Sequence, residues 1–401
     1  MKSLIKSQLT VLPEVASVPF WALQIFFKGV CVTRQFALFL YMACILDGRS
    51  SNLQKASQRG NKLCGKDQPT QKTSTIYSSF KRLFQNGNVD IIIQGLFCIT
   101  VCCLHHLCGP LELVMDRTHW EFRGTIKNVL VIGCIYQGVF IPLVFKDLGY
   151  KGNSNFKERK ALIERFLTYW KLTKLDLPPI FLAGDREFIG VHWWAYLIGK
   201  NIQFAFRIKE GQAFHIWINN NISDVKYKAN LLREALGKPD LTQQEIVILG
   251  QYVLDLFICK NVTPKTTEKY VYIVTNFEIP KDAPIFYRKR WTIEVCFKHL
   301  KSNGFDLEST GLEGEHKIEL LFSILSCVYT LCIIRGILTE LEEKPKFKTF
   351  KLENVKKTYK QTSTFTTGYT KISEILYDVF DFILILQKSI FLKPSFQNNY
   401  T

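Results

Sequence analysis

The chain has 401 residues, 47% hydrophobic and 22% charged. That excludes a mainly disordered, collagen-like or low-complexity protein and leaves room for two or three domains. Lys and Arg number 52 against 35 Asp and Glu, a net charge of +17 spread along the chain rather than held in one tail. A globular protein this basic usually meets a polyanion, with nucleic acid the first expectation and an anionic membrane surface the second.

The opening MKSLIKSQLTVLPEVASVPF carries two lysines but no long apolar core or small-residue cleavage site, so no signal peptide is expected. Residues 1–110 read as a helical region with apolar stretches at Phe20–Phe27 and Gln35–Ile45. Arg49–Lys72 holds six basic residues against the single acid Asp67. Ser74-Thr75-Ile76-Tyr77 then leads into SSFKRLF, a basic amphipathic run that suits either a DNA-binding helix or a solvated surface helix. Ile91–Cys108 and Leu320–Ile334 are apolar but interrupted or short against the roughly 20 residues of a membrane span. Core helices are expected at both. Cys102, Cys103, His105, His106 and Cys108 lack the paired spacing of a zinc site.

Around Leu111 the texture changes. LELVMD, NVLVIGCIYQ and GVFIPLVF read as three strands. A helix follows over Ser154–Leu172, with Asn155 and Glu158 placed for a capping box. PPIFLAGD (strand), VHWWAYLIGK (helix) and IQFAFRIK (strand) complete an α/β unit over 111–210. Residues 211–284 carry three further strand-like segments, EIVIL, QYVLDLFIC and KYVYIVTNF, and read as a β-rich insertion. The α/β unit resumes over 285–340 with one long helix from about Ile285 to Ser302 and an apolar helix at Leu320–Leu338. In 341–401, Lys344–Lys360 holds seven lysines and reads as a linker, and Ile372–Ile390 as a last helix with an apolar face suited to protein–protein contact.

Three acids stand at telling places. Asp116 and Asp185 end predicted strands, and Glu294 lies on the long helix. Strand ends in one sheet can bring carboxylates to a common edge, and a packed helix can add a third. Three carboxylates in one pocket repel each other, and a hard divalent cation relieves this while keeping sites for water and phosphate. On a continuous helix Tyr287, Arg290, Glu294 and Lys301 fall within an arc of about 60°. A carboxylate between an aromatic hydroxyl and cations suits a metal ligand with phosphate clamps. The spacing alone also fits an ordinary amphipathic surface helix.

The run YRKRWTIEVCFKHLK (287–301) resembles the Y-x-x-R-x-x-x-E-x-x-x-x-x-x-K signature of the insertion-sequence-four family of DDE transposases. DRTHWEFRGT with GVFIPLVFKDLGYKGNSNFKERKALI resembles the region of that family's first aspartate, and LAGDREFIGVHWWAYLIGKNIQFAFRIK the region of its second. The resemblance covers about residues 110–310. It implies an RNase H-like fold: a mixed five-stranded sheet with flanking helices, interrupted by the insertion, with helical N- and C-terminal regions. It implies Asp116, Asp185 and Glu294 as catalytic ligands of two Mg²⁺ ions, with Mn²⁺ as a substitute. Tyr287, Arg290 and Lys301 would contact transposon-end phosphates. Arg117, Arg186 and Lys298 are further phosphate contacts by adjacency. Trp217 either stacks a flipped base or packs the insertion's own core, and Trp291 is expected to pack the helix.

The function implied is cut-and-paste transposition. A homodimer binds inverted repeats through the N-terminal region, cuts the ends through hairpins and joins them to target double-stranded DNA, without a membrane. The place implied is the bacterial cytoplasm, at the nucleoid. The alternative is a catalytically silent or nuclease-only RNase H-like relative that binds DNA.

Overall fold

The computed structural model describes residues 27–63, 73–85, 87, 89–104, 109–261, 268–352 and 355–376. The chain divides into two compact units, one made of residues 1–103 and 298–401, the other of 104–297.

The 104–297 unit is built on one sheet. Strands β1 (Leu111–Phe122), β2 (Thr125–Tyr136) and β3 (Val139–Asp147) form a meander. Each hairpin closes on two left-handed residues, Arg123-Gly124 and Gln137-Gly138, the geometry that two-residue hairpin loops require. Helix α5 (Phe156–Leu172) leads to β4 (Ile180–Gly184), and α6 (Val191–Gly199) to β5 (Ile202–Ile208). The capping box forms as expected. The Asn155 side chain accepts the Glu158 N–H, and the Glu158 carboxylate accepts the Asn155 N–H. The strands run in the order β3-β2-β1-β4-β5, with β1, β4 and β5 parallel and the meander antiparallel. This is the mixed five-stranded core expected of an RNase H-like domain.

The insertion adds strands to this sheet instead of forming a sheet of its own. It contains β6 (Ala213–Ile218), β7 (Asn221–Ile222), β8 (Tyr227–Lys228), β9 (Gln243–Ile248), β10 (Tyr252–Lys260) and β11 (Tyr270–Thr275), with a short α7 (Leu232–Ala235) after β8. Strand β11 pairs antiparallel with β5, and β10, β9 and β6 follow outward, giving 11 strands in all. The open edge of β5 is thereby covered, which removes a row of unpaired backbone groups.

Two helices follow where one was expected: α8 (Ala283–Arg288) and α9 (Trp291–Leu300). Between them Arg290 N–H donates to Tyr287 C=O and Ile293 N–H to Arg290 C=O, the tighter three-residue pattern. The single-helix arc therefore does not describe this segment. Phe286 packs α8 on the sheet against Phe181 and Phe277, at 6.1 and 5.7 Å between ring centroids. Trp193 and Trp194 of α6 meet Phe206 and Phe204 of β5. Register pairs Phe181 with Gln203 and Leu182 with Phe204, so α6 and α8 cover opposite faces.

In the other unit, α1 (Val32–Gly48), α2 (Leu53–Leu63) and α3 (Thr73–Gln85) pack on one another, with Tyr41 against Phe80 and Phe84. Residues 91–103 of the first apolar stretch and all of 320–334 fall in α4 (Val89–Cys103) and α10 (Glu315–Glu342), which pack together. Helix α10 is long and apolar enough to cross a membrane, but 83% of its most apolar window is buried inside the protein. Lys344–Lys360 is a hairpin, not a linker: β12 (Phe347–Leu352) pairs with β13 (Val355–Lys360). Residues 364–376 are helical, and the rest of the expected last helix lies outside the described residues. So do most of Phe20–Phe27, and His105, His106 and Cys108.

Candidate active site

Asp116 is not at a strand end. Strand β1 runs on to Phe122 because β2 continues to pair with it. What ends near Asp116 is the parallel ladder with β4, whose last described pair is Met115 with Gly184. One step further along both chains puts Asp116 beside Asp185. The two face the same side as Phe181, the side that α8 covers, because side chains alternate along a strand. Beyond β4 the chain turns, Phe188 N–H donating to Asp185 C=O at 2.9 Å.

Arg290, in the tight turn between α8 and α9, draws the acids together. Its guanidinium donates to Asp116 Oδ2 at 2.7 Å and to Glu294 Oε1 at 2.9 Å. The Asp116, Arg290 and Glu294 side chains are 20%, 14% and 34% exposed. Tyr287 stands beside them, its ring centroid 5.9 Å from the Arg290 guanidinium carbon. Burial pushes the Asp116 carboxyl up to about 6, against the pull of Arg290 and of the Arg117 N–H that it accepts at 2.7 Å. Burial works against the Arg290 charge, but Tyr287, Asp116, Asp185 and Glu294 outweigh it and hold the guanidinium above its ordinary value. Burial likewise raises the Tyr287 phenol.

Among the described residues no three Asp, Glu, His or Cys side chains stand grouped to hold a metal as they are. Asp116 and Glu294 are both turned onto Arg290. The donor set nevertheless fits a hard cation: Asp185 Oδ1 is buried with no hydrogen-bond partner, and Asp116 is a desolvated carboxylate beside it.

The structure brings together Asp116, Asp185, Tyr287, Arg290 and Glu294 within the 104–297 unit. Arg186 lies next to Asp185 and pairs with Glu268 at 2.6 Å, which also takes Arg207. Trp217, on β6 and away from the β1–β4 edge, is half-buried, so the insertion does not enclose it. Lys298 is exposed near the end of α9, and Lys301, one residue beyond that helix, pairs with Glu308 at 3.1 Å. Both lie in the other unit. Trp291 corrects its expectation. It is 57% exposed and does not pack. Arg117 is turned to the opposite face from Asp116 and held by Glu187, Asn128 and Asn153. Sequence reasoning passed over Glu187. The acid two residues after Asp185, in DREF, was the available signal.

Two aspartates meeting where the parallel β1–β4 ladder of a mixed α/β sheet ends, with a helix glutamate held to the same arginine, form an arrangement suited to phosphoryl-transfer chemistry. A family model described as the transposase DDE domain matches residues 109–331, more than half of the chain, and the chain belongs to that family. It is thus a transposase or nuclease-like enzyme acting on DNA, of a kind that generally uses divalent metals. No curated protein matches. Among ten matching solved chains is endonuclease V from Bacillus subtilis, with 13% identity and a TM-score of 0.23, over 52% of this chain and 84% of that one. A likeness of that degree carries no argument.

Proposed function

We propose that the protein is a cut-and-paste transposase of the insertion-sequence-four type. The reading is carried by one observation: Asp116, Asp185 and Glu294 stand around Arg290, two of them in direct contact with it. Asp116, Asp185 and Glu294 would hold two Mg²⁺ ions, or Mn²⁺ in their place. Bound there, such ions activate the attacking water or 3′-hydroxyl and neutralise charge at the phosphodiester. Arg290, with its fork of donors, turns from the carboxylates to a phosphate, and the Tyr287 hydroxyl supports it. Arg186 adds a cation next to Asp185, and Lys298 and Lys301, in the other unit, are proposed as DNA-phosphate contacts of that unit. Trp291 offers an exposed aromatic face for an unstacked base, a better-placed candidate than Trp217.

Residues 1–110 read the inverted repeats. Helix α3 buries Ile76, Phe80, Leu83 and Phe84 and exposes Ser74, Thr75, Tyr77, Ser78, Lys81 and Arg82. Neither α2 nor α3 contains an acid, which suits a phosphate-lined groove. Residues 341–401 join two copies, and the dimer cuts through hairpins and inserts the element into target DNA. The setting is the bacterial cytoplasm, at the nucleoid.

The test is Mg²⁺-dependent cleavage of linear DNA carrying the repeats that flank the native gene. Wild type should nick at the repeat boundary and join the freed 3′-hydroxyl to target DNA. Asp185→Asn and Glu294→Gln should bind the repeats as wild type does but leave them uncut. Nicking without joining favours the nuclease reading, and cleavage by either variant removes the ligand assignment.

A further inference from the structure

Asp116 and Arg117 are consecutive on β1 and therefore point to opposite faces of the sheet. Asp116 faces α8 and α9. Behind it, every nitrogen of the Arg117 guanidinium is engaged. Nε donates to Glu187 Oε2 at 2.5 Å, and the two terminal nitrogens donate to Asn128 Oδ1 and Asn153 Oδ1, each at 2.9 Å. The other oxygen of Glu187 accepts the Ser154 N–H at 2.8 Å and the Ser154 hydroxyl at 2.6 Å. Arg159 fixes Ser154 in turn, donating from Nε to its Oγ at 3.0 Å. Asn128 is tied to the same loop, its amide donating to the Tyr150 and Gly152 carbonyls at 2.8 and 2.9 Å.

The location of this network gives it a use. The parallel ladder between β1 and β4 ends at Met115 and Gly184. Beyond that pair no described backbone bond joins β1 to the segment that carries Asp185, yet two carboxylates that repel each other sit there. Arg117 is one residue past Asp116, and Glu187 two past Asp185. Their side chains are 18% and 10% exposed, too enclosed to serve a passing phosphate. In an ion pair so enclosed the cost of desolvation offsets much of the attraction, so net stability does not account for it.

We propose that Arg117 and Glu187 are positioning residues. They clamp the back of the strand pair and set the separation of Asp116 and Asp185, and with it the affinity for a divalent cation. This rests on the reading of those two aspartates as metal ligands. Groups that orient ligands from behind typically carry about 10–100-fold in metal affinity.

Mn²⁺ binding, followed by the electron paramagnetic resonance signal of the free ion, tests this on the full-length protein, with melting and repeat-DNA affinity measured alongside. Asp185→Asn should lose the tight Mn²⁺ binding. Glu187→Gln and Arg117→Met should weaken it about tenfold while repeat-DNA affinity stays at the wild-type value, and Arg117→Lys should recover part of the loss. Ser154→Ala, which removes one of two hydrogen bonds to Glu187 Oε1, should weaken it less, and it decides the matter if the stronger variants do not fold. Wild-type Mn²⁺ affinity in folded Glu187→Gln, Arg117→Met or Ser154→Ala, with binding lost in Asp185→Asn, overturns the positioning role alone. Wild-type affinity in Asp185→Asn overturns the ligand reading beneath it.

Discussion

Arg290 stands between Asp116 and Glu294 as a built-in counter-charge, and this governs what its removal should do. Truncating one partner of an enclosed charge pair leaves the other uncompensated and costs about 3–5 kcal/mol where burial is complete. Partial exposure of these side chains should reduce that cost. Arg290→Ala should therefore melt at lower temperature than wild type, and added Mg²⁺ should restore more of the loss than it adds to wild type, because the cation meets the same carboxylates. Equal Mg²⁺ shifts in a calorimetric or fluorescence melt would contradict this. Much at this scale was legible in the sequence. The spacing of Tyr287, Arg290, Glu294 and Lys301 pointed to one helix face; Tyr287, Arg290 and Glu294 do stand together, across a tight turn, while Lys301 pairs with Glu308 in the other unit. The Arg117–Glu187 clamp was not legible, because its partners Asn128, Asn153 and Ser154 come from distant segments that only the folded sheet brings together. Adjacency to Asp116 suggested a phosphate contact for Arg117, but strand alternation turns it the other way.

At the scale of elements, the helix–helix contact beside α10 is set by glycine. A Cβ on Gly368 would lie 1.8 Å from the Cys332 carbonyl oxygen, and one on Gly336 would lie 2.0 Å from the Thr364 carbonyl oxygen. Backbone meets backbone there, so neither side can yield by a rotamer change. Gly368→Ala should destabilise the protein by about 1–3 kcal/mol or more, read as a lower melting temperature. An unchanged melt would mean that residues 364–376 do not pack against α10 as described. Pattern reading captured the meander, the capped α5 and three insertion strands, because apolar periodicity is strong in each. It failed where local composition masked the period. In Lys344–Lys360 seven lysines masked the β-favouring residues Phe347, Thr349, Phe350, Val355, Thr358 and Tyr359. It failed again at Lys289-Arg290, where good helix formers gave no sign of the tight turn that separates α8 from α9.

For the whole molecule, the net charge of +17 predicts DNA binding that weakens steeply with salt. Each phosphate neutralised contributes about 0.9 to the slope of log affinity against log salt. Replacing Lys81 and Arg82 of α3 with Ala should lower that slope by about two and weaken repeat binding, as measured by fluorescence anisotropy across a salt series. An unchanged slope would move the DNA-reading surface away from α3. The insertion, read from sequence as β-rich and interrupting the α/β unit, extends that unit's sheet through β11. Sheet pairing between segments so far apart in the chain has no local sequence signal.

The most direct measurement is the Mg²⁺ dependence of cleavage at the repeat boundary, with wild type and Asp185→Asn side by side at equal repeat-DNA occupancy. Cleavage by wild type that needs the cation and vanishes in the variant is the predicted result. Cleavage that persists in Asp185→Asn, or that proceeds equally in excess chelator, would contradict the account.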